Sequence, residues 1–221
     1  MKKLFMLLGA LLVVTVLGCG SSSKNTTEAK ALPETVQKGK ALVVYYSVPE
    51  ATSPNNLTQE GENSTVVKEG KLLGNTQYVA GIIAKTIGAE EFRIETEQKY
   101  PINDHKAFID KAKEELNNNF RPTLVGKPNL AQYEVVFLGY PNWWGDMPMA
   151  LYSFLEQNDF TGKTIIPFNT HGGSGLSRTV DSIAAKAPKA TVVKDAFTVH
   201  RGSVANCEGD VKAWLGKLGY K

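Results

Sequence analysis

The chain has 221 residues, 25 of them Lys or Arg and 22 Asp or Glu, with 42% hydrophobic residues, enough apolar material for one ordinary globular domain. That balance excludes disorder, collagen and a disulfide scaffold, and a net charge of +3 with scattered basic residues offers no concentrated basic face to a nucleic acid. Two cysteines and three histidines are too few for a structural zinc site, so no metal site is expected.

Met1-Lys2-Lys3 followed by the apolar run Leu4 to Leu17 has the basic start and short apolar stretch of a secretory signal, below the ~20 residues a membrane-spanning helix needs. The run ends in Val16-Leu17-Gly18-Cys19, which resembles a bacterial lipoprotein signal, with Gly18 before the cut and Cys19 carrying the lipid. An uncleaved anchor helix and a plain signal peptide are the alternatives, and all three export the chain. Residues 1–18 are then a leader and 19–39 a lipid-anchored flexible tether, rich in Ser, Thr, Lys and Glu. The folded domain is expected over 40–221, on the extracytoplasmic face of a bacterial membrane. Loss of Lys2 and Lys3 lowers the net charge by two, and Cys207 is left without an internal disulfide partner.

From Lys40 onward, short apolar runs alternate with helical spacing, the pattern of βαβ units around a parallel sheet covered on both faces. The expected strands are Ala41 to Tyr46, Glu91 to Ile94, Val135 to Gly139, Thr164 to Phe168 and a piece within Thr191 to Val199. Apolar residues three and four apart mark five helices between and after them: Val79 to Ile87, Phe108 to Leu116, Pro148 to Leu155, Leu176 to Ala187 and Val211 to Leu218. The fold class is α/β with a doubly wound five-stranded parallel sheet, so ligands belong in the loops at the carboxyl ends of its strands.

Three of those loops carry chemistry. Ser47 follows the first strand, and Gly74-Asn75-Thr76 opens the next helix, where a glycine turn with hydroxyl and amide groups suits an anion or simply caps the helix. The polar segment 48–73 lies between them and reads as a surface lid or meander that could also obstruct the site. After the third strand comes Tyr140-Pro141-Asn142-Trp143-Trp144-Gly145-Asp146-Met147-Pro148; two adjacent indoles offer a platform for a flat ligand or pack against core and helix. After the fourth comes Asn169-Thr170-His171-Gly172-Gly173-Ser174-Gly175, whose glycines let the backbone approach a ligand or make a flexible connection, the place at a carboxyl end directly before a helix favouring the ligand. Gly-x-x-x-x-Gly-Lys-Ser/Thr, Gly-x-Gly-x-x-Gly and a nucleophile elbow around Ser174 are all missing from the sequence, and His105 and His200 read as surface residues without ligand-spaced neighbours.

With Pro-x-Trp-Trp-Gly-x-x-Pro and Thr-x-Gly-Gly-Ser-Gly on two such loops, the domain from Lys40 to Lys221 resembles the bacterial flavodoxin-like family. The resemblance implies a three-layer α/β/α fold with strand order 2-1-3-4-5 and FMN as cofactor. It implies that Ser47, Gly74, Asn75 and Thr76 hold the phosphate. Pro141, Asn142, Trp143, Trp144 and Gly145 then form the first isoalloxazine loop, and Thr170, His171, Gly172, Gly173 and Ser174 the second. Under that reading Trp143 or Trp144 stacks on the flavin, Gly145 supplies a peptide that can reorient, His171 stabilises the reduced ring, and Asp146 disfavours its anion. The 48–73 insertion and the near-neutral charge depart from the compact phosphate loop and acidic surface of soluble flavodoxins.

The expected function is an FMN-binding electron-transfer protein, with no catalytic residue of its own singled out. The leader lacks an Arg-Arg pair, so the chain is expected to cross the membrane unfolded and take FMN outside. Electrons then come from membrane quinols or an anchored redox partner. An FMN-dependent quinone-type reductase and a non-enzymatic binding module on the same scaffold are the alternatives.

Overall fold

In the computed structural model, residues 39–58 and 61–220 are described. The leader, Cys19 and the tether as far as residue 38 lie outside them. β1 (Ala41–Tyr45), β4 (Glu90–Arg93), β5 (Val135–Pro141) and β6 (Thr164–His171) form the body of a parallel sheet in the order β4-β1-β5-β6. Its last position is shared by β7 (Thr191–Val192) and β8 (Phe197–His200), both parallel to β6. This is the 2-1-3-4-5 order with its fifth strand in two pieces.

The break has a local cause. β7 pairs with Thr164 and Ile165, and β8 with Phe168 to His171, so the gap falls opposite Ile166 and Pro167. A proline has no N–H for a ladder.

Alternation along the central strands explains why they read as continuous apolar runs. Val43, Tyr45, Val135 and Phe137 face one core, closed by α1 (Asn75–Ile87) and α5 (Glu208–Lys217). Leu42, Val44, Tyr46, Val136, Leu138 and Tyr140 face the other, closed by α2 (His105–Asn117), α3 (Met149–Gln157) and α4 (Thr179–Lys186). Both sides of the pleat are therefore dry. Pro148 stands at the N-cap of α3 rather than inside its first turn.

The 48–73 segment is not a loose meander. It contains an antiparallel hairpin, β2 (Thr65–Lys68) and β3 (Lys71–Gly74), closed by Glu69 and Gly70, both at positive φ, the geometry of a tight two-residue turn. Val66 is buried in the same core as α1 and α5, and Leu73 packs against it. The hairpin runs directly into α1, so the inserted chain sets the position of that helix's first turn.

Candidate functional site

Because the sheet is parallel, the carboxyl ends of β1, β5, β6 and β8 open on one edge, and the strand order reverses between β1 and β5. A cleft of about 190 Å³ lies there. Ser47, Asn75 and Thr76 line one end of it, and Pro141, Asn142, Trp143 and Trp144 meet Thr170, His171 and Gly172 around the rest. Of the residues singled out from sequence, Gly74, Gly145, Gly173 and Ser174 do not line it. They shape the backbone of the turns that do.

At the α1 end, Gly74 is the N-cap, and Ser47 lies so close that a Cβ on Gly74 would sit 2.1 Å from Ser47 Oγ. Thr76 Oγ1 is 2.9 Å from Thr170 Oγ1, tying the helix start to β6. The inserted segment contributes as well: Asn75 N–H donates to Ser64 O at 2.9 Å and Asn75 Nδ2 to Asn63 O at 3.0 Å. Asn75 Oδ1 remains buried with no hydrogen-bond partner among the described residues.

The indole loop is a small hairpin in which Trp143 and Asp146 exchange backbone hydrogen bonds of 2.9 and 3.0 Å. Trp144 and Gly145 sit at its tip with φ of 56° and 80°, and the left-handed conformation costs a non-glycine residue about 1–2 kcal/mol. The two rings have different surroundings. Trp143 packs edge-on against Tyr46, Tyr100 and Phe108, with centroids 5.2–5.9 Å away. Trp144 is 50% exposed and lies over α2, its Nε1 donating to Ile109 O at 3.1 Å and its ring 4.7 Å from Lys113 Nζ. Asp146 turns away from the cleft, where the Tyr152 hydroxyl donates to both its carboxylate oxygens at 2.9 and 3.0 Å.

One carbonyl organises the glycine-rich turn. Gly175 O accepts Asn142 Nδ2 and Asn169 Nδ2, each at 2.9 Å, so the two loops share an anchor. Asn142 Oδ1 is left buried and unpartnered among the described residues. His171 Nδ1 accepts the Gly173 N–H at 2.9 Å, which places the ring hydrogen on Nε2 when the ring is neutral. Burial, with His200 nearby, lowers its affinity for a second proton. The His171 ring is therefore better suited to donate one hydrogen bond than to carry charge.

Other lining residues were missed in the sequence. Arg201, on the turn after β8, approaches Gly172, where a Cβ would lie 3.1 Å from its Nη1. Phe108, Ile109 and Ala112 bring α2 into the wall. His105, read from sequence as a surface residue without neighbours, lines the cleft with its Nδ1 2.7 Å from Glu50 Oε2. His200 is exposed, as expected. Nothing local announces these residues: Glu50 and His105 are 55 positions apart, and only the return of β1 and α2 to one edge joins them.

A doubly wound sheet with an aromatic and a glycine-rich turn facing each other at its switch point defines a flavodoxin-like protein. A flavodoxin family model, Flavodoxin_4, matches residues 65–218, and the chain belongs to that family. No curated protein matches it. Among solved structures, a protein from Bacteroides eggerthii described as a flavoprotein is 24% identical, with a TM-score of 0.60 over 83% of this chain and 99% of that one. A second, from Bacteroides uniformis, is 24% identical with a TM-score of 0.53 over 76% and 96% of the two chains. A flavoprotein from Lactobacillus acidophilus, in complex with FMN, is 16% identical with a TM-score of 0.50 over 80% and 98%. At these identities the likeness establishes the fold.

Proposed function

We propose that this chain is an FMN-binding redox protein that accepts and passes on electrons while anchored through Cys19 outside the cytoplasm. One observation carries the cofactor assignment. Asn75, at the start of α1, and Asn142, on the indole loop, line one cleft, and each keeps a buried side-chain oxygen without a partner among the described residues. Such an orphan acceptor costs about 1–3 kcal/mol, a penalty that a ligand's hydroxyl or N–H removes. The other groups suit the same ligand. The Ser47 and Thr76 hydroxyls stand beside the α1 N-terminus, where the helix dipole favours a phosphate, and Arg201 adds a fixed positive charge to that cleft. The FMN complex of the Lactobacillus protein supports the reading by analogy of fold.

FMN, when bound, supplies the electron-carrying chemistry. The chain's residues bind it and set its surroundings. Trp143 and Trp144 would exclude water from the ring, the Gly172 backbone and His171 Nε2–H would offer donors to its edge, and Asn142 Oδ1 would offer an acceptor. Titration of the flavin-free protein with FMN, followed by flavin fluorescence, is expected to give one site with a Kd of about 1 µM or tighter, and riboflavin is expected to bind at least about tenfold more weakly. Equal affinity for both flavins would remove the phosphate site, and no saturable binding would remove the cofactor.

Membrane quinols or an anchored redox partner supply the electrons. Metabolic labelling with a fatty-acid analogue should mark the unaltered chain and leave Cys19→Ala unmarked; equal labelling of both would overturn the anchor. A second reading, a reductase acting on a small acceptor, is favoured by the Glu50–His105 pair.

A further inference from the structure

We propose that His105 and Glu50 form a proton-donating pair for a flat conjugated carbonyl acceptor of the quinone class, an assignment that rests on the flavin reading above. The Glu50 side chain is 6% exposed and that of His105 36%. The carboxylate is thus withdrawn from solvent while the imidazole touches both it and the open cleft. Glu50 is fixed at its backbone by an N–H donated to Ser64 Oγ at 2.9 Å, and its Oε2 lies 2.7 Å from His105 Nδ1. An ionised carboxylate can only accept, so the Nδ1 hydrogen belongs to this bond and Nε2 is the nitrogen free to exchange a proton. An imidazole oriented by a buried carboxylate in a cleft wall has the geometry of a general acid–base. A mere anchor for the start of α2 would not need to stand in the cleft wall that α2 builds with Phe108, Ile109 and Ala112, an apolar surface that suits a planar acceptor.

Conversion of a quinone to a hydroquinone takes up two electrons and two protons. When bound, the reduced flavin would supply both electrons and one proton as a hydride and be left oxidised. His105 gives the other: its Nε2–H bond breaks as the acceptor's O–H bond forms, and the neutral ring is reprotonated by water at the cleft mouth. Among the described residues, the other charged or titratable groups on the cleft are His171 and Arg201; Asp104 and Lys106 flank His105 in sequence, with Lys106 paired to Asp110. His171 has its Nδ1 engaged by Gly173 and a lowered proton affinity, and a guanidinium serves as a hydrogen-bond donor rather than a general acid. His105 is the remaining donor.

The test uses the FMN-loaded protein, reduced anaerobically with dithionite and mixed with 1,4-naphthoquinone across pH. The unaltered rate is expected to fall as pH rises, with His105→Gln slower by about 100-fold and insensitive to pH, and Glu50→Gln about tenfold slower. A readout independent of turnover is the imidazole nitrogen-15 spectrum of the unaltered oxidised protein, where His105 should be the Nδ1–H tautomer when neutral. An Nε2–H tautomer there overturns the pairing whether or not the variants fold. His105→Gln that binds FMN and reduces naphthoquinone with the unaltered rate and pH profile overturns it too, while leaving the flavin reading intact. Failure of the unaltered chain to bind FMN removes both.

Discussion

Replacing Gly74 by alanine puts a methyl group where Ser47 already stands. The new Cβ would lie 2.1 Å from Ser47 Oγ and 3.2 Å from Ser47 Cβ, whereas a relaxed contact is ~3.5–4.0 Å. The backbone is no obstacle, because Gly74 has φ −70° and ψ 148°, open to any residue. The hydroxyl must therefore give way by roughly 1.4 Å. Its least costly escape is rotation of χ1 inside a buried pocket, at about 0.5–1.5 kcal/mol, and alanine is a poorer N-cap than glycine by several tenths more. The flavin-free protein should lose about 1–2 kcal/mol, a fall in Tm of about 3–6 °C for a domain of this size. The larger effect falls on the ligand. With the Ser47 hydroxyl turned from the cleft, the hydrogen bond proposed from it to the flavin phosphate would be lost, about 1.5–3 kcal/mol, and the FMN Kd is expected to rise by about 10- to 150-fold. Fluorescence titration measures the second effect and thermal unfolding the first. Ser47→Ala should weaken FMN equally, and the double variant should bind no worse than either single one while regaining stability. Unchanged binding by Gly74→Ala, or a double variant that loses the sum of the two, would refute the reasoning.

The two indoles should separate cleanly. Trp143→Ala, which breaks three edge-on aromatic contacts, is expected to cost about 2–3 kcal/mol in urea unfolding, and Trp144→Ala to stay within about 0.5 kcal/mol; equal losses would contradict the difference in packing. Gly139→Ala would drive a Cβ to 2.2–2.9 Å from the ring of Phe168, which is fully buried, so that about 3 kcal/mol of stability is lost; Phe168→Leu should restore part of it, and no recovery in that pair would count against overpacking as the cause. Glu156 is held at about 2, chiefly by hydrogen bonds from Arg121 and then Lys186. A carboxylate depressed on folding adds stability above its ordinary value of 4.5 and loses it as pH falls from there toward 2. With the side chain 35% exposed, solvent screening limits the gain to about 1 kcal/mol. Glu156→Gln should cost that amount at neutral pH and only a small part of it at pH ~2, where half of the folded-state carboxylate is still ionised; a pH-independent difference between the two proteins would contradict the ion-pair account.

The sheet was readable in advance because Ala41 to Tyr45 and Val135 to Pro141 are dry on both faces, which leaves an uninterrupted apolar run as their mark. The facing turns were readable because strained or closely approached backbone selects its residues: glycine at 145, 173 and 175, all at positive φ. The hairpin Thr65 to Gly74 was missed. Val66 and Leu73 pair on the face that meets the core, but the same face carries Lys68 and Lys71, and Val67 on the other face is exposed, too little apolar signal over two four-residue strands. The Glu50–His105 pair was missed for another reason: a hydrogen bond between residues 55 apart belongs to the tertiary fold and leaves no spacing in the sequence. Pro167 inside an apolar strand was the sign that the neighbouring strand would be broken, and its effect shows only once β7 and β8 are seen to divide one place in the sheet.

That divided place has a bearing on how copies of the chain behave when crowded. A third strand trying to extend the sheet past β7 and β8 would find no unbroken row of free amides and carbonyls. At the opposite rim, the exposed Glu90 and Glu91 of β4 present charge to any newcomer. Interrupted edges and charged edges are two ways in which a sheet avoids templating its own kind. Molecules packed side by side on a surface can therefore stay separate, each with its apolar strands closed to stitching into a common ribbon.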